Sequence, residues 1–101
     1  MWLFAMFDLP VDTKEARRAY TVFRKALLGE GFVMLQFSVY ARYNASEEST
    51  AAIKRRLRDR IPVAGQVRFV AITDHQFGKM DVYVGKRKEK PENAPEQMLL
   101  F

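Results

Sequence analysis

The six residues Trp2-Leu3-Phe4-Ala5-Met6-Phe7 are apolar at every position, and Asp8-Leu9-Pro10 ends the run. A strand with one wet face alternates apolar and polar residues, so an unbroken apolar run reads as a strand covered on both faces. It is too short for a membrane span and has no basic leader, so it is neither a transmembrane segment nor a signal peptide. The run is predicted to be a central strand, and the rest of the chain must supply its neighbours and its cover. A chain of 101 residues has room for one such core.

The remaining pattern supplies those layers. Asp12-Thr13-Lys14-Glu15 has capping-box spacing, with Asp12 as the expected cap. Ala16, Ala19, Tyr20, Phe23, Ala26 and Leu27 then recur at three- and four-residue intervals up to Gly29 and Gly31, which predicts a first helix. From Phe32 to Tyr43 the pattern has a period of two, but the stretch is longer than an ordinary strand. Two strands are predicted, meeting at a kink or tight turn at Gln36 to Ser38. Ser46, followed by Glu47 and Glu48, begins a second helix with Ile53, Leu57 and Ile61 as its buried stripe and Pro62 as its end. Gly65 opens a strand over Gln66 to Thr73, Asp74 to Lys79 reads as a polar loop, and Met80 to Gly85 as a further strand.

The order is βαββαβ with an additional C-terminal strand. It predicts an α+β, ferredoxin-like domain over residues 1–85, an antiparallel sheet with two helices on one face. Residues 86–101 read as a basic, proline-containing linker that carries the apolar tail Met98-Leu99-Leu100-Phe101, a candidate partner-binding segment. The fold hosts many functions, so function has to be argued from side chains.

Lys and Arg number 17 against 12 Asp and Glu, a net charge of +5 that favours a polyanionic partner. The first helix places Lys14, Arg17, Arg18, Arg24 and Lys25 away from its apolar stripe. The second does the same with Lys54, Arg55, Arg56, Arg58 and Arg60, and after Glu48 its sole acid is Asp59. Arginine forks bind phosphate bidentately without reading bases, so Lys14, Arg17, Arg18, Arg24, Arg55, Arg56 and Arg58 are the candidate nucleic-acid-binding residues. Trp2, Phe4 and Tyr40 offer another reading, base stacking on a sheet, but the Gly-Phe-aromatic signature of RNA-recognition motifs is missing and core packing is their expected role. The chain has no cysteine and a single histidine, His75, which excludes disulfides, thiolate metal sites and multi-histidine zinc, and fits a cytoplasmic protein. His75 itself reads as a surface loop residue.

Asp8 stands where the apolar strand emerges. A carboxylate fixed there is a hard oxygen ligand suited to Mg²⁺, or it caps the turn into Pro10. Metal-assisted phosphodiester hydrolysis calls for more than one carboxylate, and Asp12 is expected to cap a helix. A homodimer whose two-fold axis runs beside the first strand would bring two copies of Asp8 to one ion.

Phe7-Asp8-Leu9-Pro10, Arg17, and Gly31-Phe32 leading into Gln36-Phe37-Ser38-Val39-Tyr40 resemble the small spacer-acquisition family of CRISPR antiviral defence, the non-catalytic partner subunit of the CRISPR integrase. The match covers nearly the whole chain, and Thr73 to Met80 looks like type II versions. The resemblance implies a homodimer whose last strand, here Met80 to Gly85, completes the partner subunit's sheet. It also implies an adaptor that bridges two integrase dimers under duplex DNA. It assigns a metal-dependent endonuclease activity on RNA or DNA to the aspartate pair, so Asp8 inherits the catalytic and Mg²⁺-binding role. Where the family often has phenylalanine after Ser-Val, this chain has Tyr40, whose hydroxyl needs a partner. Outside this family, the same features suit a ferredoxin-like RNA-binding module or a ribonuclease toxin.

Overall fold

In the computed structural model, which describes residues 1–94, the elements are β1 (Trp2–Asp8), α1 (Lys14–Gly29), β2 (Val33–Gln36), β3 (Val39–Tyr43), α2 (Glu47–Arg58), β4 (Gln66–Ile72), α3 (Asp74–Gly78), β5 (Val82–Val84) and β6 (Arg87–Glu89). The four-stranded sheet has the order β2-β3-β1-β4 with every neighbouring pair antiparallel, so β1 is central as expected. Each helical crossover passes over one intervening strand, which makes all neighbours antiparallel and gives the ferredoxin-like α+β arrangement. The tail Met98 to Phe101 lies outside the described residues.

The pleat of β1 divides its side chains. Leu3, Ala5 and Phe7 point to one face, where they are buried with Phe23 and Leu27 of α1, Ile53 and Leu57 of α2, Phe32 and Tyr40. Phe7 meets Phe23 edge-on at 5.3 Å and stacks on Tyr40 at 5.6 Å between ring centroids. The Tyr40 hydroxyl finds its partner in Arg24, whose Nε donates to it over 3.0 Å.

Trp2, Phe4, Met6 and Asp8 point to the opposite face, and here the expectation of cover on both sides needs correction. Trp2 is buried, Phe4 and Met6 are half-buried and Asp8 is exposed. Cover at the Trp2 end comes from α3, the segment expected to be a polar loop. Thr73 caps it, with the Gln76 side chain returning a bond to the Thr73 N–H. This short helix exists to seat one apolar side chain, Phe77, which stacks on Trp2 with centroids 4.0 Å apart and planes 11° from parallel. His75 is exposed on the same helix, a surface residue as expected.

Other boundaries shift by small steps. The cap of α1 is Thr13, not Asp12: its extended backbone lets Oγ1 accept from the Ala16 N–H at 3.0 Å. Ile61 falls beyond the end of α2 and is exposed, because Asp59 already terminates the helix. The predicted break in the long β stretch is a turn at Phe37 and Ser38, with Ser38 at φ +65°. Arg87–Glu89, expected within the basic linker, pairs with β5 in a separate two-stranded sheet. Gly85, at φ +63°, supplies the positive dihedral that this hairpin requires.

Phe77→Ala is expected to remove the stack on Trp2 and destabilise the protein by about 3–5 kcal/mol, the usual cost of truncating a buried phenylalanine. Trp2 is the single tryptophan, so urea unfolding followed by its fluorescence reads both the lost stack and the lost stability.

Candidate carboxylate site and nucleic-acid interface

The backbone of Asp8 is held from both sides. On one side the Phe7 N–H donates to the Ser38 carbonyl over 3.1 Å, tying β1 to the β2–β3 turn. On the other, Asp8 lies across from Gln66 in the β1–β4 register. Gly65 approaches there at φ +92°, and a Cβ on it would lie 2.5 Å from the Asp8 carbonyl oxygen. Only glycine fits that approach. Leu9, buried in the core, anchors the chain on its way out.

The carboxylate therefore leaves a fixed backbone and stands exposed on the sheet face away from α1 and α2. It lines a shallow depression with Met6, Phe7, Gln66 and Arg68. Gln66 and Arg68 carry no local sequence signal of a site. Their alternation along β4 places them on one face, but only the register with β1 puts that face beside Asp8.

The described residues of a single chain do not make a Mg²⁺ site. Among the described residues no three His, Asp or Glu side chains gather where they could hold a metal ion. Asp12 does not supplement Asp8, since it lines a different, largely apolar cleft with Leu9, Pro10, Ala16 and Pro62. A hard divalent ion needs several oxygen ligands, and among the described residues Asp8 is the one carboxylate that lines this depression.

The basic candidates separate into two groups. Arg17 Nη1 donates to the Val11 carbonyl over 3.1 Å, and Arg24 is occupied by Tyr40. Arg56 forms a bidentate pair with Glu30, Nε to Oε2 at 2.9 Å and Nη2 to Oε1 at 2.8 Å, tying α2 to the end of α1. That guanidinium holds the Glu30 carboxyl below its ordinary pKa. Arg56 is thus committed within the fold. Lys14, Arg18, Arg55 and Arg58 are exposed on the outer surfaces of α1 and α2. Arg60, from outside the candidate set, joins Lys25 in one cleft between the helices and Arg18 in another. The helices cover one face of the sheet and Asp8 projects from the other, so the structure keeps the basic residues of α1 and α2 apart from the carboxylate, and Arg68 is the arginine that shares its depression. Trp2 and Tyr40 are buried and Phe4 is half-buried, consistent with core packing rather than base stacking.

A family model described as CRISPR associated protein Cas2 matches residues 1–80. A relative named CRISPR-associated endoribonuclease Cas2, from Parvibaculum lavamentivorans, is 50% identical over 101 residues, covering 100% of both chains. One of the same name from Streptococcus mutans is 37% identical over 101 residues, covering 100% of this chain and 93% of the relative. The crystal structure of Streptococcus pyogenes Cas2 at pH 6.5 matches with a TM-score of 0.65 at 19% identity, covering 83% of this chain and 100% of that one, a likeness of fold.

The lowered pKa of Glu30 means that its pair with Arg56 stabilises the fold above the carboxylate's unfolded pKa, and that this contribution is lost as pH falls through the folded value. Glu30→Gln breaks the pair at neutral pH. It is expected to tighten duplex DNA binding severalfold and to steepen the dependence of log K on log salt by about one, as one more arginine reaches phosphate. Filter binding across a salt series checks this, and an unchanged slope would mean that Arg56 faces no phosphate.

Proposed function

The chain belongs to the CRISPR-associated Cas2 family, and from that premise we propose that it serves spacer acquisition as a homodimer that bridges integrase dimers and binds duplex DNA, and that it cleaves phosphodiester bonds at Asp8. The observation that carries this reading is the separation of surfaces. A carboxylate on a fixed backbone stands on the open sheet face, and the exposed cations of α1 and α2 stand on the outer helix surfaces. The names of the relatives support the endoribonuclease part for those proteins.

The open face favours a second copy. Val33 and Val70 are exposed on it, and Met6 and Val39 are half-buried. At the sheet edge β4 pairs only with β1 among the described strands, so its outer backbone groups suit an added strand. The proposed addition is the other copy's β5 segment, released from its hairpin with β6. The tail Met98 to Phe101 is proposed to dock on the integrase.

In the dimer, two Asp8 carboxylates meet the need that one leaves unmet and would hold Mg²⁺. When held by those carboxylates, Mg²⁺ would lower the pKa of a water bound to it. Hydrolysis consumes one water: its oxygen bonds to phosphorus in line, one P–O ester bond breaks, and the departing oxygen takes up a proton. The chain's share is to fix the carboxylates through the Ser38 and Gly65 contacts. On the far side Lys14, Arg18, Arg55 and Arg58 contact duplex backbone without reading sequence.

Asp8→Asn is expected to reduce cleavage of RNA and DNA oligonucleotides to background while duplex affinity stays unchanged. Replacing Arg55 and Arg58 together by Ala is expected to spare cleavage, weaken duplex binding and flatten its salt slope by about two. Cleavage that survives both Asp8→Asn and EDTA would overturn the hydrolytic reading. Retained duplex affinity in the double arginine variant would overturn the interface.

A further inference from the structure

We propose that Arg68 is the residue that holds the scissile phosphate beside Asp8, with Gln66 as the positioning residue that orients it. This rests on the reading of Asp8 as the cleaving carboxylate and adds what that reading lacks. A phosphodiester is an anion, and an aspartate repels it. Mg²⁺ held by the aspartates would offset part of that repulsion. The exposed cations of α1 and α2, however, lie on the other side of the sheet, so a protein donor to the phosphate has to come from the open face itself.

Arg68 meets that need by its place in the register. Asp8 lies across from Gln66, and Arg68 lies across from Met6. All four face the same side of the sheet, and Asp8, Gln66, Arg68 and Met6 line one depression. Residues diagonal to each other on paired strands stand about 7–8 Å apart, close enough to engage one phosphate from two sides. Among the described residues Asp8 and Arg68 form no ion pair, so neither charge is cancelled by the other. Arg68 donates from Nη2 to Gln66 Oε1 over a long 3.4 Å, which leaves further N–H donors of the fork for a ligand.

The geometry suits the chemistry. A guanidinium offers two parallel donors to the two non-bridging oxygens of a phosphodiester. As water adds to phosphorus, negative charge grows on those oxygens and the same donors stabilise it. No base contact is involved, so the expected substrate is a phosphodiester of either sugar type whose backbone can enter a shallow site. In a two-fold dimer the second Arg68 would stand beside the second Asp8, and the site would hold two guanidinium groups beside the two carboxylates.

The test compares Arg68→Ala, Arg68→Lys and Asp8→Asn with the unmodified protein in single-turnover cleavage of labelled RNA and DNA, with duplex affinity measured in parallel. Arg68→Ala is expected to slow cleavage by about 10²–10³, as for loss of one oxyanion-stabilising donor. Duplex affinity should not change, and Arg68→Lys should recover part of the rate. Added guanidinium ion should partly rescue Arg68→Ala but not Asp8→Asn, a response that a merely structural arginine would not give. Independently of turnover, the Arg68 Nε–Hε resonance in Asp8→Asn protein should shift on titration with the dinucleotide uridylyl-uridine. If Asp8→Asn cleaves normally, the reading of Asp8 fails and this inference with it. If Asp8→Asn is inactive while Arg68→Ala cleaves normally, or if the Arg68 resonance does not move, this inference alone is overturned.

Discussion

Burial of Leu3, Ala5 and Phe7 against α1 and α2 is the constraint from which the rest of the structure follows. Moving side chains of this size from water to a core contributes about 1.5–3 kcal/mol for each large one. That fixes which face of β1 turns inward. With a period of two, the choice also fixes the direction of every other residue in the strand. Trp2, Phe4, Met6 and Asp8 must face the other way, and a slip of one residue would send Asp8 into the helix layer. The position of the carboxylate is thus a consequence of hydrophobic packing by other residues of the same strand.

The same division organises the charges. Two of the helix arginines serve the fold: Arg24 satisfies the buried Tyr40 hydroxyl, and Arg56 ties the two helices through Glu30. Acids at the start of α2 and arginines in its last turn also suit the helix dipole, which accounts for part of that basic cluster without any ligand. What remains exposed on the outer surfaces is a smaller set than composition alone suggests. The open face carries one carboxylate, one guanidinium and an amide in a single depression, and its apolar remainder is incompletely covered.

Features with a local signal were legible in the sequence. The β1 run, the stripe of α1, the Ser46 cap and the turn before Val39 each follow from neighbouring residues. Errors arose where one side chain or one distant partner decides. Phe77 turns a polar stretch into a helix because Trp2 waits across the sheet, and Gly85 turns a charged stretch into a hairpin. Thr13 displaces Asp12 because adjacent residues compete for one cap. The Glu30–Arg56 pair spans 26 positions, and Arg68 joins Asp8 only through strand register. The position of Asp8 at a strand end could be read locally, but its neighbours could not.

The central claim is that a single Asp8 is insufficient and that cleavage belongs to a pair. The direct measurement is cleavage by dimers reassembled after unfolding unmodified and Asp8→Asn chains together at varied ratios. If both carboxylates of a dimer are required, activity falls as the square of the unmodified fraction. A linear fall would show that each protomer cleaves alone and would contradict the account.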